Sequence, residues 1–157
     1  MTAISLIIPL VFGGFLRIYI PPFSATLASH VPLFLAITIS PFVGSMVGFG
    51  SALGFLLILG PIIGARASVH ILLGWIGGLL YRKNQSLSKT LWLILPLHAL
   101  GEALVVLPFG FDAYTALIVV GLGTALHHIL DGLLAYIIFS QLIRFFGNPK
   151  RLNEDLT

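Results

Sequence analysis

The sequence predicts an all-α integral membrane protein, folded as a compact bundle of six transmembrane helices. Three observations predict this class. Apolar residues make up 58% of the 157 residues, and mean hydropathy is +1.09. Charged residues make up only 8%. Apolar runs of about twenty residues recur between breakers, which is the length that crosses a bilayer. This composition excludes a soluble domain built around one core.

Proline, glycine and polar residues divide the chain into its predicted spans. The first span, about 4–19, ends at Pro21-Pro22, because proline cannot continue a helix. The linker 22–26 leads to a short second span at about 27–39. Ser40-Pro41 then indicates a tight reversal into the third span, about 42–59.

The second half of the chain supplies three more predicted spans. Residues 60–64 are predicted to form a loop before the fourth span at about 65–81. The polar stretch 82–86 separates it from the fifth span at about 87–107. The sixth, about 114–146, is long enough to project beyond the bilayer. One domain, residues 1–157, with a short cytoplasmic tail from about 147, is the predicted organisation.

The basic residues predict the orientation. Six of the eight lie near the loop after span four or near the C-terminus: Arg82, Lys83, Lys89, Arg144, Lys150 and Arg151. Arg17 and Arg66 fall at the opposite ends of their spans. The positive-inside rule therefore predicts a multi-pass protein of the cell membrane with both termini in the cytoplasm. It also leaves two outward arginines, a pattern that favours a receptor for a small anion.

Several functions are disfavoured by the sequence. It lacks the Gly-x-x-x-x-Gly-Lys phosphate loop, so ATP hydrolysis by that route is not expected. It has no cysteine, which excludes disulfides and thiolate metal sites. Its basic residues flank spans rather than forming a patch, so no nucleic-acid partner is expected. No Gly-x-Ser-x-Gly elbow is present, and the chain is predicted not to be an enzyme, with no catalytic residues.

Small residues recur at the spacing that lets helix backbones approach closely. The three Gly-x-x-x-Gly pairs are Gly44 and Gly48, Gly50 and Gly54, and Gly74 and Gly78. They predict helix packing surfaces and identify no ligand.

Ionisable residues within the spans form three pairs at i and i+4, where side chains share a helix face. The pairs are Arg66 and His70, His98 and Glu102, and His127 and Asp131. Each pair could bind a ligand, or could hold helices together by hydrogen bonds. The histidines and carboxylates could also ligate zinc or nickel. Because no His-Glu-x-x-His motif is present, no metal site is predicted.

Several motifs together resemble one known family. They are the run Thr26–Ala36 followed by Ile39-Ser40-Pro41, the run Gly50–Phe55, the run Arg66–His70, the run His98–Glu102, and the run Val120–Thr124 with His127 and Asp131. In this order they resemble the substrate-binding S components of energy-coupling-factor (ECF) vitamin transporters, in particular the niacin-type branch. The similarity extends from about residue 17 to 136.

The resemblance implies a six-helix receptor that captures a vitamin, niacin (nicotinate) first, on the outer face. It implies a transmembrane coupling protein (EcfT) and ATPase subunits as partners. ATP would be hydrolysed by those partners, so no cofactor is expected in this chain. The family often carries an Ala-x-x-x-Ala docking patch on span one. This chain has Gly13-Gly14 there instead, so the docking surface stays unassigned.

Nicotinate, a flat aromatic acid, needs a cation, a partner for the ring nitrogen and an apolar wall. An arginine can offer a bidentate fork to the carboxylate, and histidine can hydrogen-bond the ring or the acid. The predicted substrate-binding residues are Arg66, His70, His30, His98, Glu102, Tyr19, Phe23 and Trp75.

Three other functions stay open. The ligand could be another small acidic vitamin such as pantothenate. The chain could be an ion-coupled carrier that uses His98 with Glu102 and His127 with Asp131 as proton relays. It could also be a structural subunit without a ligand.

Overall fold

The computed structural model describes residues 1–12 and 16–147, and most of them are helical. The helices are α1 (Thr2–Phe12), α2 (Val31–Ala36), α3 (Pro41–Leu59), α4 (Pro61–Asn84), α5 (Leu87–Val106) and α6 (Gly123–Phe146). A 3₁₀ turn (Leu107–Phe109) extends α5, and a π-helical segment (Thr115–Leu122) runs directly into α6. Two strands, β1 (Arg17–Ile20) and β2 (Phe23–Thr26), pair as an antiparallel hairpin. The predicted cytoplasmic tail from about 147 and Gly13-Gly14 lie almost wholly outside the described residues.

Four of the described helices are long and apolar enough to cross a membrane. They are Pro41–Leu59, Pro61–Asn84, Leu87–Phe109 and Thr115–Phe146. These correspond to the predicted third to sixth spans, and they make the chain a multi-pass membrane protein. The predicted bundle of six transmembrane helices is not confirmed, because within residues 1–12 and 16–147 neither of the first two predicted spans forms a helix of that length.

The first predicted span has the wrong extent. Helix α1 has only 11 residues. Residues 17–20 form β1, which turns at Pro21-Pro22 and pairs with β2, so that Arg17 lies opposite Thr26. The residues of β1 include Ile18, Tyr19 and Ile20, and β-branched and aromatic side chains favour strands. The apolar run predicted as one span therefore begins as helix α1 and ends in the first strand of a hairpin.

The second predicted span is also too long. Helix α2 has six residues, about 9 Å at 1.5 Å per residue, and cannot cross a bilayer. Pro32 lies at its first turn, where proline's missing N–H costs nothing. All but one of its residues are buried among the longer helices. Helix α2 is therefore a core element rather than a span.

Helix α4 begins earlier than predicted. The predicted loop 60–64 shortens to Gly60, whose φ of +90° is accessible to glycine at little cost. Pro61 follows at the first turn of α4, where it fits the helix. The tight corner sets α3 and α4 side by side and antiparallel.

The predicted glycine packing surfaces are confirmed. A Cβ on Gly44 would lie 2.7 Å from the carbonyl oxygen of Gly74, so α3 and α4 touch backbone to backbone. A Cβ on Gly48 would overlap the backbone of His70, and one on Gly78 would overlap Pro41. Further along α3, Gly50 and Gly54 face Thr2 and Leu6 of α1. This close approach fixes how α4 presents its polar face to the interior.

The chain enters the last helix through a cap and a π-helical segment. Asp112 accepts hydrogen bonds from the backbone N–H (3.0 Å) and hydroxyl (2.8 Å) of Thr115. These bonds lower the pKa of the exposed Asp112 carboxyl below its ordinary value. The segment Thr115–Leu122 then winds with a wider turn, and such segments change the rotational phase of the helix that follows. Thr124 and the polar residues after it thereby face the interior.

Candidate functional site

All five histidines of the chain are buried in one polar cluster. Arg66, Glu102, Thr124 and Asp131 are buried with them. They come from the segment before α2 and from α4, α5 and α6, which are separate parts of the chain. Buried ionisable groups in a membrane protein are costly unless paired, so such a cluster is a candidate functional site.

Glu102 stands at one centre of the cluster. Its Oε2 accepts hydrogen bonds from Arg66, with Nε at 3.0 Å, and from the Thr124 hydroxyl at 2.8 Å. Its Oε1 lies 3.3 Å from Nε2 of both His98 and His70. One carboxylate thus ties α4, α5 and α6 together.

Arg66 is paired, although the sequence places no acidic residue within a helical turn of it. Its side chain is 5% exposed, and its Nε and one terminal nitrogen donate to Glu102. The other terminal nitrogen donates to the carbonyl of Pro22 at 3.0 Å. Its guanidinium lies 5.3 Å from the centre of the Phe23 ring, a cation–π distance. The partner on α5 is 36 residues away, a relation that local spacing does not reveal.

Asp131 is the second centre and holds the segment before α2. It accepts from the backbone N–H of Ala28 (2.6 Å) and of His30 (2.9 Å). Its Oδ2 also lies 3.1 Å from His30 Nδ1 and 3.0 Å from His127 Nε2. Ala28 has a φ of +69°, an unusual conformation for a residue with a Cβ, which these hydrogen bonds stabilise.

Four imidazoles form a continuous row that begins beside Asp131, passes Glu102 and ends at the carbonyl of Leu91. Nε2 of His70 lies 3.1 Å from Nε2 of His30 and 3.2 Å from Nε2 of His98. Nδ1 of His98 lies 2.9 Å from Nδ1 of His128, whose Nε2 lies 3.1 Å from the carbonyl of Leu91.

The hydrogen-bond partners assign the tautomers that His30, His98 and His128 adopt in their neutral forms. A carbonyl only accepts, so His128 donates from Nε2 to Leu91 and accepts at Nδ1. His98 must then donate from Nδ1, which leaves its Nε2 unprotonated. His30 donates from Nδ1 to Asp131, so its Nε2 is unprotonated as well. Two free nitrogen lone pairs therefore point at His70.

His30 lies outside the four spanning helices. Burial lowers the pKa of His30 well below its ordinary value, because an imidazolium is disfavoured away from water. The neutral form that the tautomer argument requires is thus the stable one at neutral pH.

A small cavity of about 60 Å³ borders this cluster. Its polar lining includes Arg17, Arg66, His30, His70, Glu102 and His127, and its apolar lining includes Phe55 and Ile63. The cavity lies at the end of the helices where α4 begins. The basic residues Arg82 and Lys83 are in the last turn of the same helix, about 24 Å away at 1.5 Å per residue.

The structure brings together five of the eight predicted binding residues: Arg66, His70, His30, His98 and Glu102. Phe23 lies next to this group, with its ring against the guanidinium of Arg66. Tyr19 is 61% exposed on β1, with Arg17 stacked on its ring at 4.7 Å. Trp75 is 47% exposed and does not line the cavity.

The polar cluster also contains residues that the predicted site omitted. They are Thr124, His127, His128 and Asp131 in the cluster, and Arg17 at the cavity. The i and i+4 spacing of His127 and Asp131 was the signal for two of them. Their partners lie about a hundred residues earlier, in the segment before α2, and no local pattern indicates that contact.

Replacing Asp131 with asparagine tests its hold on the segment before α2. Asn has one acceptor oxygen where Asp131 has two, and its NH₂ group would face N–H donors. We expect the free energy of unfolding to fall by about 1–3 kcal/mol, the cost of unsatisfied buried donors. Amide hydrogen exchange at Ala28 and His30 should speed up. Unchanged exchange there would show that Asp131 does not order this segment.

One curated relative is similar to this chain. It is the niacin transporter NiaX of Lactococcus lactis subsp. cremoris (strain MG1363), 33% identical over 84 residues. The match covers 53% of this chain and 37% of the relative, so the aligned part spans little more than a third of the relative's length. No family model matches the chain, and no solved structure matches it. The chain is thus a membrane protein related over about half its length to a niacin transporter, and this relationship supports the resemblance to niacin-type S components that its motifs indicate.

Proposed function

We propose that this chain is the high-affinity substrate-binding component of an ECF-type importer that captures niacin at the outer face of the membrane. The observation that carries the proposal is the 33% identity over 84 residues to a niacin transporter. The basic residues at the far end of α4 support the orientation, because the positive-inside rule assigns that end to the cytoplasm. The cavity then faces outward.

The lining of the cavity suits a small aromatic acid. Two arginines, Arg17 and Arg66, reach it, and Phe55 and Ile63 supply apolar walls. Arg66 already donates hydrogen bonds to Glu102. We therefore propose that the nicotinate carboxylate first binds Arg17 and then binds Arg66 together with Glu102. His30 or His70 would hydrogen-bond the ring. A cavity of about 60 Å³ has room for only a few waters, so binding requires the hairpin and α1 to move outward.

Import in this scheme depends on partners. In this proposal the chain binds the vitamin but lacks the Gly-x-x-x-x-Gly-Lys loop for ATP. A transmembrane coupling protein and two ATPase subunits would supply the energy for import. The chain's own task is selective capture, for which a buried charged cluster under a small cavity is suited.

Calorimetric titration of the detergent-purified protein with nicotinate tests the proposal. We expect saturable binding at one site per chain, with nicotinamide weaker because it lacks the carboxylate. Pantothenate is the comparator for a different acidic vitamin. Tight pantothenate binding without nicotinate binding would replace the substrate, and no binding of any of the three would contradict the proposed function.

Arg17→Gln tests how the acid is read. Gln removes the charge and keeps a hydrogen-bonding chain of similar reach, and Arg17 is exposed, so the fold should tolerate it. We expect nicotinate affinity to fall by about tenfold while nicotinamide affinity is unchanged. Equal losses for both ligands would show that Arg17 does not read the carboxylate.

An ion-coupled carrier is the second candidate, and the row of imidazoles from His30 to His128 favours it. A continuous row of hydrogen-bonded histidines is the kind of structure that relays protons in transporters. Uptake into vesicles containing this chain alone, abolished by a proton uncoupler, would establish this function instead. Uptake that needs ATP and partner subunits would exclude it.

A further inference from the structure

We propose that Nε2 of His30, His70 and His98 together with Oε1 of Glu102 form a tetrahedral binding site for a divalent transition metal, with Zn²⁺ as the best fit. All four donor atoms lie within 4.8 Å of one another. They come from the segment before α2, from α4 and from α5, so an ion there would clamp three parts of the fold.

The spacing of the donors matches a tetrahedral ion. Four of the six donor–donor distances are 3.1, 3.2, 3.3 and 3.3 Å. Zn²⁺ binds nitrogen and oxygen at about 2.0–2.1 Å, which places neighbouring ligands of a tetrahedron about 3.3 Å apart. Little movement of the side chains is therefore needed to admit the ion.

The proton positions favour a cation at this point. Nε2 of His30 and of His98 are both unprotonated, because each imidazole donates from Nδ1 to another partner. His70 Nε2 has at most one proton to share among three acceptors: these two nitrogens and Oε1 of Glu102. A metal ion instead accepts every one of these lone pairs.

The proposed ligands are held by hydrogen bonds to neighbouring side chains, as metal ligands in proteins usually are. His30 donates its other ring N–H to the Asp131 carboxylate, and His98 donates to His128. Glu102 keeps Oε1 for the ion while Arg66 and Thr124 hold Oε2. Among the described buried residues, the charges of Arg66, Glu102 and Asp131 sum to one negative charge, which a cation offsets.

A second group of possible ligands, His30, His127 and Asp131, does not fit as well. His127 Nε2 faces the carbonyl of Thr26 at 3.1 Å, so it carries a proton rather than a free lone pair. Both oxygens of Asp131 already accept backbone N–H groups. Asp131 therefore acts only through its hydrogen bond to His30, and His127 lies outside the ligand set.

The sequence predicted no metal site, because it lacks a metal motif on a single helix. The structure assembles the donors from three segments instead, and the absence of a local motif carries no weight against such a site.

The test uses full-length protein without a histidine tag, treated with a chelator and then titrated with Zn²⁺ in the absence of nicotinate. We expect one equivalent to bind, and Co²⁺ in its place to give the intense visible absorption bands of four-coordinate cobalt. No stoichiometric Zn²⁺ binding, or only the weak bands of six-coordinate Co²⁺, would overturn the proposal. This readout needs no variant and is independent of the proposed vitamin.

Variants assign the ligands. His70→Ala and Glu102→Gln should each weaken Zn²⁺ binding by at least about tenfold, because each removes a donor. His127→Gln is the matched control, since it replaces a buried histidine of the same cluster outside the ligand set and keeps an N–H donor for Thr26. Its Zn²⁺ affinity should equal that of the parent chain. Equal losses in all three variants would overturn the assignment of ligands.

Discussion

Arg66→Ala should lower the free energy of unfolding by about 3–5 kcal/mol, the usual cost of removing one partner from a buried ion pair. Arg66 and Glu102 are both nearly fully buried, with the Arg66 Nε 3.0 Å from the carboxylate. Alanine would leave the charge of Glu102 in the protein interior with the Thr124 hydroxyl and the His98 ring as its partners. Chemical unfolding in detergent, followed by circular dichroism, measures the loss.

The double variant Arg66→Met with Glu102→Gln separates charge from packing. It removes both charges together and keeps side chains of similar volume, so we expect it to recover most of the lost stability. Nicotinate binding should stay weak in both variants, because the cation is missing from each. An Arg66→Ala protein as stable as the parent would show that the ion pair does not stabilise the fold.

Gly48→Ala should have the next largest effect. Its new Cβ would overlap the backbone of His70, which cannot yield as a flexible side chain can. Helices α3 and α4 would have to separate, at a cost of about 1–3 kcal/mol for overpacking. Because His70 lies in the polar cluster, nicotinate affinity should fall along with thermal stability.

Gly121→Ala is the control for that substitution. The nearest atom to its new Cβ, the Cβ of Ala103, lies at 3.4 Å, which is ordinary van der Waals contact. We expect thermal stability and nicotinate binding to match those of the parent chain. If Gly48→Ala also matched the parent, the contact between α3 and α4 would not be as close as the structure describes.

Hydropathy alone misassigned the first third of the chain, where the segments predicted as two spans include a hairpin and a short buried helix. Ile18 and Ile20 continue the apolar run that begins in α1, yet the backbone hydrogen bonds of this segment go to β2 instead of along a helix. Helix α2 is likewise apolar because it is covered by protein rather than by lipid. Hydropathy reports that a segment avoids water, and both environments satisfy that condition.

The sequence by itself determined that the chain is a membrane protein, where four of its spanning helices lie, and which glycines form helix packing surfaces. It also placed Arg66 with His70, and His98 with Glu102, on shared helix faces. These properties depend on composition and on spacings of three or four residues, which are local.

Only the tertiary structure decided that Arg66 pairs with Glu102, that Asp131 holds Ala28 and His30, and that three histidines and a carboxylate converge on one point. Apart from His98 and Glu102, which are four residues apart, the residues in these pairings are separated by 28 to 103 positions. Whether two such side chains meet depends on how each helix is rotated and how closely its neighbours pack. That geometry is a property of the whole bundle, because close packing of many contacts, and no single spacing along the chain, sets it.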